Sequence, residues 1–153
     1  MRLTAFTDYS LRVLMYLGID PARRATIGEI AAAFDVSEHH LVKVVHFLGK
    51  AGWLRNVRGK GGGLELALPP ACINIGAVVR DTEGDAVVAE CFDAERTDNC
   101  AIAGSCKLRG PLDEAVAAFY AVLDRYTLAD VVRNRAQLAQ VLFFPAASAR
   151  KRA

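Results

Sequence analysis

Three of the chain's four cysteines, Cys91, Cys100 and Cys106, fall within sixteen positions, with eight and then five residues between them. The residues around them include Asp93, Glu95, Thr97, Asp98, Asn99, Gly104 and Ser105, which is loop composition. A loop of this length without apolar periodicity is either disordered or held by something other than a hydrophobic core. Three thiolates so spaced can converge on a metal or a cluster; a redox disulfide and three unrelated thiols are the competing readings. Structural zinc favours four closed Cys or His ligands with tightly paired arms. No such arm exists here, and His39, His40 and His46 all lie far upstream. Thiolates are the usual holders of iron–sulfur clusters, so an iron–sulfur cofactor leads, with one ligand still to be found. The fourth cysteine, Cys72, sits between Ala71 and Ile73, where a thiol is expected to behave as a small hydrophobe.

No nucleophile stands beside a base, and no second cofactor signature accompanies the cysteines, so the chain is not expected to be an enzyme. Its 153 residues, about half of them apolar, suffice for one domain with a real core, or for a small domain plus an oligomerisation element. The net charge is only +2, but its distribution is uneven. Between His39 and Lys60 stand Lys43, Lys50, Arg55, Arg58 and Lys60 without one acidic residue, whereas Asp81 to Asp98 is rich in Asp and Glu. A local basic patch of that kind is a sign of nucleic acid binding. Met1 to Ser10 lacks the apolar core of a secretory signal, and no apolar run approaches the length of a bilayer span. The expectation is a cytoplasmic protein without a membrane partner, in a compartment that keeps thiols reduced.

The elements that would position these groups follow from periodicity and capping. Phe6, Tyr9, Val13, Leu14 and Leu17 share a helical face that stops at Gly18 and Asp20-Pro21. On that helix Asp8 and Arg12 are four apart, the spacing of a surface ion pair. Thr26-Ile27-Gly28-Glu29 has the form of a capping box opening a second helix to Phe34. After a turn at Asp35-Val36, Ser37 stands at the N-cap of a third helix, Glu38 to Lys50, with Leu41, Val44, Val45 and Leu48 as its buried stripe. Helix, tight turn, helix is the arrangement of a DNA-reading helix-turn-helix. Two expected strands, Trp53 to Val57 and Leu64 to Leu68, flank Arg58-Gly59-Lys60-Gly61-Gly62-Gly63, a hairpin tip like a wing. A phosphate-binding P-loop is disfavoured, since Lys60 lacks the G-K-[ST] context and no helix follows directly. Asn74 can cap a helix closing at Gly84, and Pro111 suits the first turn of another running to about Tyr126. The apolar side of that last helix, Leu112, Val116, Phe119, Leu123 and Tyr126, is read as a dimerisation surface.

The fold class expected is mainly α with a small β-hairpin wing. Residues 1–84 form a winged helix-turn-helix domain, 85–110 the cysteine-bearing loop, 111–132 a dimerisation helix with a short helix capped by Thr127, and 133–153 a C-terminal tail. In the third helix Ser37, His39, His40 and Lys43 are the candidates for base and phosphate contact in the major groove. Arg58 is the candidate for the minor groove, whose negative potential attracts arginine, and Lys60 for phosphate.

Met1-Arg2-Leu3-Thr4 with Phe6-Thr7-Asp8-Tyr9, the wing Val57-Arg58-Gly59-Lys60 with Gly62-Gly63, the three cysteines, and Tyr126-Thr127-Leu128-Ala129-Asp130-Val131 are quoted together for one reason. The combination resembles the family of dimeric winged-helix repressors that contains the iron–sulfur regulators IscR and NsrR, and its NsrR-type, nitric-oxide-sensitive members most of all. The resemblance spans roughly Met1 to Val132. It implies a homodimer on a palindromic double-stranded DNA operator, with nitric oxide as the signal and release of DNA on nitrosylation. It implies a 4Fe–4S cluster (2Fe–2S being the alternative) held by Cys91, Cys100, Cys106 and Asp8 of the partner subunit, with Arg12 orienting that carboxylate. IscR-like proteins carry a histidine three residues after the last cysteine; this chain has Arg109 there. Other sensors on the same scaffold, reading redox state, iron supply or cysteine status, are the next reading, and an iron–sulfur enzyme or electron carrier the last.

Overall fold

Hydrophobic spacing and helix caps divide the chain much as expected. The computed structural model describes residues 2–84, 89, 92 and 100–144. Helix α1 (Ala5–Ile19) starts where the Thr4 hydroxyl accepts the Thr7 N–H at 3.2 Å, one of the donors a helix start leaves unpaired. Helix α2 (Ile27–Phe34) opens on the reciprocal box: Glu29 N–H donates to the Thr26 hydroxyl at 3.1 Å, and Thr26 N–H donates to the Glu29 carboxylate at 2.6 Å. Asp35 then takes a left-handed conformation, φ 52°, that turns the chain into α3 (Glu38–Lys50). From α3 face inward Leu41, Val44, Val45 and Leu48.

Strands β1 (Leu54–Val57) and β2 (Gly63–Leu66) pair antiparallel, with Leu54 opposite Leu66 and Val57 opposite Gly63. Both are shorter than expected, although Ala67 N–H still reaches the Trp53 carbonyl at 3.0 Å. On the other side of β2, Ala25 and Leu64 exchange backbone hydrogen bonds of 3.2 and 2.8 Å. The link before α2 therefore acts as a third, one-residue strand. Gly63 makes this approach possible: its φ is 146°, and a Cβ there would lie 3.0 Å from the Ala25 carbonyl oxygen.

Pro70–Cys72 forms a single 3-10 turn. It overturns one expectation, because Cys72 is exposed and not packed. The tight turn points Ile73 into the core, at 0% exposure, and leaves Ala71 and Cys72 on the solvent side. Helix α4 (Ile75–Glu83) is capped by the Asn74 side chain, which accepts from Ala77 N–H at 2.9 Å, and closes at Gly84. Helix α5 (Arg109–Leu123) ends three residues before Tyr126. There the backbone is diverted: the Tyr126 carbonyl accepts Ile75 N–H at 3.0 Å, and Thr127 pairs with Asn74. The short α6 (Leu128–Val131) has its own capping box, Thr127 with Asp130. Residues 133–144, read from sequence as tail, hold a further helix, α7 (Arg135–Leu142). Its apolar periodicity is weak and its start has no side-chain cap, so little in the sequence announces it.

The core gathers Leu14 from α1, Ile30 from α2, Leu41 and Leu48 from α3, Ile73, Val78 from α4, and Leu128 and Val132 from the α6 region, each at most 1% exposed. Each such side chain contributes roughly 1.5–3 kcal/mol by leaving water. None of the described helices is long and apolar enough to cross a membrane.

Candidate nucleic-acid interface and cysteine site

With Leu41, Val44, Val45 and Leu48 turned inward, helix geometry leaves His39, Lys43, His46 and Lys50 on the outward side of α3, three or four residues apart, and all four are exposed. This is a basic stripe along the full length of the helix. Ser37 is exposed at the N-cap, and its side chain makes no capping bond. That removes the capping role as an account of its hydroxyl. His40 is also exposed but lies toward α1, its ring stacked on Tyr9 at 6.3 Å. Lys43, His40 and Val44 border a cleft of about 200 Å³ against Phe6 and Tyr9. Sequence reasoning passed over His46 and Lys50 as contacts, and the signal was available: they continue the spacing of His39 and Lys43. A second cleft, of about 720 Å³, lies between α3 and β1 and carries Val42, His46, Lys50, Arg55 and Asn56 on its walls.

The wing stands beside this face with Arg58 and Lys60 exposed at its tip. Its pose is fixed by Arg24, which the sequence reading did not single out. Arg24 donates from Nε to Glu65 at 2.9 Å and from Nη1 to the Gly61 carbonyl at 3.2 Å. Arg55 reaches the other Glu65 oxygen at 3.2 Å. The hydrogen bond from Arg24, and then the charge of both arginines against some desolvation, hold the Glu65 carboxyl below the usual glutamate range.

On α1, Asp8 and Arg12 form the expected ion pair, 2.8 Å apart and about half-exposed. The Arg12 guanidinium also lies 6.0 Å from the Tyr9 ring centre and 5.7 Å from that of Phe34. Two rings therefore flank it while it pairs with the carboxylate. The same helix grips α3, with Phe6 edge-on to Phe47 at 5.3 Å.

Cys91 lies outside the described residues. Cys100 is an exposed free thiol and Cys106 a half-buried one. Between them the chain folds in successive turns, with Ala103 N–H to the Cys100 carbonyl and Ser105 N–H to that of Ile102, both at 3.0 Å. Ile102 and Leu108, each two residues after a cysteine, are 63% and 61% exposed. Among the described residues no three His, Cys, Asp or Glu side chains cluster as metal ligands would. Asp8 is brought to Arg12. The donor chemistry suits a cluster: soft sulfur ligands, two of them on the turns of residues 100–106, match iron–sulfur ligation. Arg109 opens α5 with its guanidinium 5.6 Å from the Phe92 ring centre, and a guanidinium has no lone pair to offer iron.

The loop is anchored where it leaves α4. At its start, Thr4 donates to the Glu83 carboxylate through its backbone N–H at 2.7 Å and its hydroxyl at 3.1 Å. In the same last turn of α4, Arg80 makes a two-pronged pair with Asp124, just past the end of α5, at 2.7 and 2.6 Å, and lies 4.6 Å from the Tyr120 ring centre. Asp124 is held below the ordinary aspartate range, first by that hydrogen bond. Along α5, Phe119, Tyr120 and Leu123 pack on the chain's own core, so part of the stripe expected to dimerise faces inward. The open side carries Leu108, Ala115, Ala118 and Val122 at coiled-coil spacing, all exposed.

Comparison with known proteins converges on one scaffold and one kind of protein. The family model for Rrf2, described as an iron-dependent transcriptional regulator, matches residues 3–134. An HTH-type transcriptional regulator NsrR of Geobacillus kaustophilus is 50% identical over 143 residues, covering 93% of this chain and 97% of that one. Its namesake in Bacillus subtilis is 46% identical with the same coverage. Among solved structures, CymR, the global cysteine regulator of B. subtilis, superposes with a TM-score of 0.67 at 26% identity, covering 88% of this chain and 98% of the other. IscR of T. potens shares the fold, with a TM-score of 0.71 at 23% identity over 88% of each chain.

Proposed function

The chain belongs to the Rrf2 family of transcriptional regulators and is not an enzyme; from that premise we propose a homodimeric repressor that binds a palindromic operator, senses nitric oxide through an iron–sulfur cluster and leaves DNA on nitrosylation. The observation that carries the DNA-binding part is the exposed stripe His39, Lys43, His46 and Lys50 beside a wing tipped by Arg58 and Lys60. Lysines on that stripe neutralise phosphates and release counterions, while Ser37 and His39, near the start of α3, stand closest to base edges. Arg58 enters the minor groove beside the major-groove contact of α3. Two copies related by a two-fold axis read two half-sites, so small changes in the angle between their α3 helices carry a large effect on affinity.

Cys91, Cys100 and Cys106, with Asp8 of the partner subunit, are the ligands assigned to a 4Fe–4S cluster, with 2Fe–2S as the alternative. When bound, such a cluster supplies iron with affinity for nitric oxide. Relatives of 41–50% identity are named as NsrR transcriptional regulators, the type whose resemblance implies nitric oxide as the signal. Asp8 offers a hard carboxylate on the open side of α1, set by Arg12, while rings on the same helix meet α3 through Phe6–Phe47 and Tyr9–His40. A tether on Asp8 therefore constrains the helix that reads the groove, and slackening it lets α1 and α3 shift together.

The test uses operator DNA selected by the protein from a random pool, with fluorescence anisotropy at several salt concentrations. Lys50→Ala and Lys43→Ala should each weaken binding and flatten the salt slope by about one. Lys107→Ala, away from the stripe, should leave both unchanged. Equal slopes for all three variants would refute the assigned face. Nitric oxide added to the anaerobic, cluster-loaded protein should abolish the complex, and unchanged binding would refute the proposed signal.

A further inference from the structure

Helix α7 lies beyond the part of the chain that the family model matches, and its end is docked on the link between α1 and α2. The Phe143 ring meets Tyr16 of α1 edge-on, with centres 5.0 Å apart, and the Arg23 guanidinium lies 4.7 Å from its centre. Arg23 also donates to the Tyr16 hydroxyl at 3.3 Å and to the Glu29 carboxylate at 2.7 Å. Glu29 is the residue that closes the capping box of α2. Arg23 is thus shared between the C-terminal helix and the first turn of the helix-turn-helix. A cation over an aromatic face adds about 0.5–1 kcal/mol at exposed sites and more where water is excluded.

The next two residues face the wing. Arg24 holds Glu65 on β2 and the Gly61 carbonyl at the wing tip, and Ala25 makes the paired backbone bonds to Leu64. Residues 20–25 form a compact link, with Asp20 accepting from Ala22 through its side chain at 3.2 Å and from Arg23 through its carbonyl at 3.0 Å. Consecutive residues of a turn so braced do not move independently. Docking at Arg23 and bracing at Arg24 and Ala25 are two sides of one short peptide.

From this we infer that α7, through Phe143 on Arg23, positions the wing: the C-terminal helix sets the pose in which Arg58 meets the minor groove. Phe143, Arg23 and Arg24 are positioning residues and touch no DNA. The DNA consequence rests on the wing reading given above, whereas the brace itself does not.

The experiment measures both. In full-length Phe143→Ala, hydrogen exchange at the Ala25 and Leu64 amides should quicken by about tenfold or more, as for local opening, while the core amide of Leu48 keeps its rate. Phe143→Leu, which keeps apolar bulk but not the ring face, should fall between. Val141→Ala, on the same helix but 67% exposed, should match the unmodified chain. In anisotropy with selected operator DNA, Arg58→Ala should cost about tenfold in the normal background and under about threefold beside Phe143→Ala, while Lys43→Ala costs the same in both. Unchanged exchange at Ala25 and Leu64 in both Phe143 variants overturns the brace. Faster exchange with a full Arg58 cost overturns its role at the wing. If Arg58→Ala is silent in the normal background, the wing reading fails, and the exchange rates still judge the brace.

Discussion

Helices α1 to α4 and the cysteine loop with α5 are built on different terms. The first group shares one interior, with Leu14, Ile30, Leu41, Leu48 and Val78 at most 1% exposed. Helix α5 buries none of its fifteen residues, has no side-chain cap, and leaves Leu108, Ala115, Ala118 and Val122 open. A helix of about four turns does not persist on propensity alone and needs an apolar face covered. The reading head is specified by one chain. On the proposed function, the remaining contacts of α5 come from a second chain and those of the cysteines from a cofactor.

The largest expected effect breaks the head alone. Leu48→Ala should lower stability by about 2–5 kcal/mol, as buried leucine truncations do. Val122→Ala should change the unfolding free energy of the dissociated chain, read from urea melts, by less than about 0.5 kcal/mol, yet shift sedimentation toward monomer. Equal losses in stability for the two would erase the contrast.

Next comes the joint between the halves. Gly76 of α4 sits so close to the end of α5 that an added Cβ would collide with the Asp124 carboxylate. Gly76→Ala should cost about 1–3 kcal/mol through overpacking and displace Asp124 from Arg80. A crystal structure of the variant with that ion pair intact would contradict this.

Caps come third. Thr26→Ala removes the box of α2 and should cost about 1 kcal/mol, read from denaturant melts. Leu108→Ala, at the uncapped start of α5, should cost the isolated chain far less.

The smallest effect is in acid. Asp124 and Asp130 are held below the aspartate range, the first by Arg80 and the second by hydrogen bonds from Thr127. Depressed carboxyls add stability that is full above the unfolded aspartate range, near pH 4, and fades as pH falls through their folded values. Both are surface groups, so the change should be modest. Arg80→Met should flatten the acid limb of the stability profile, and an unaltered limb would remove Asp124 from the account.

The same contrast explains what could be read in the sequence. Local rules governed the head: Thr26 with Glu29, Asn74 before Ile75, and the stripe Leu41, Val44, Val45 and Leu48 each marked its element, because cap and period agreed with burial. Arg24 escaped notice because its partners, Glu65 and Gly61, are distant in sequence. Helix α5 was placed but its inward and outward sides were mixed, since apolar residues run round most of it and periodicity cannot tell its own core from a partner's. Cys72 misled through apolar neighbours, of which only Ile73 is buried. Helix α7 escaped because Phe143 docks through Tyr16 and Arg23, contacts that leave no local signature.

The central claim is that Asp8 of one chain completes the thiol set of the other, and complementation tests it directly. Asp8→Ala and Cys100→Ala chains carrying different tags are co-expressed, the mixed dimer is isolated anaerobically, and iron and sulfide are counted with its nitric oxide response. Across the subunit boundary the mixed dimer retains one complete ligand set, so the account predicts one nitric-oxide-responsive cluster per dimer, half the unmodified content. A mixed dimer no better loaded or more stable to nitric oxide than the Asp8→Ala homodimer would contradict it.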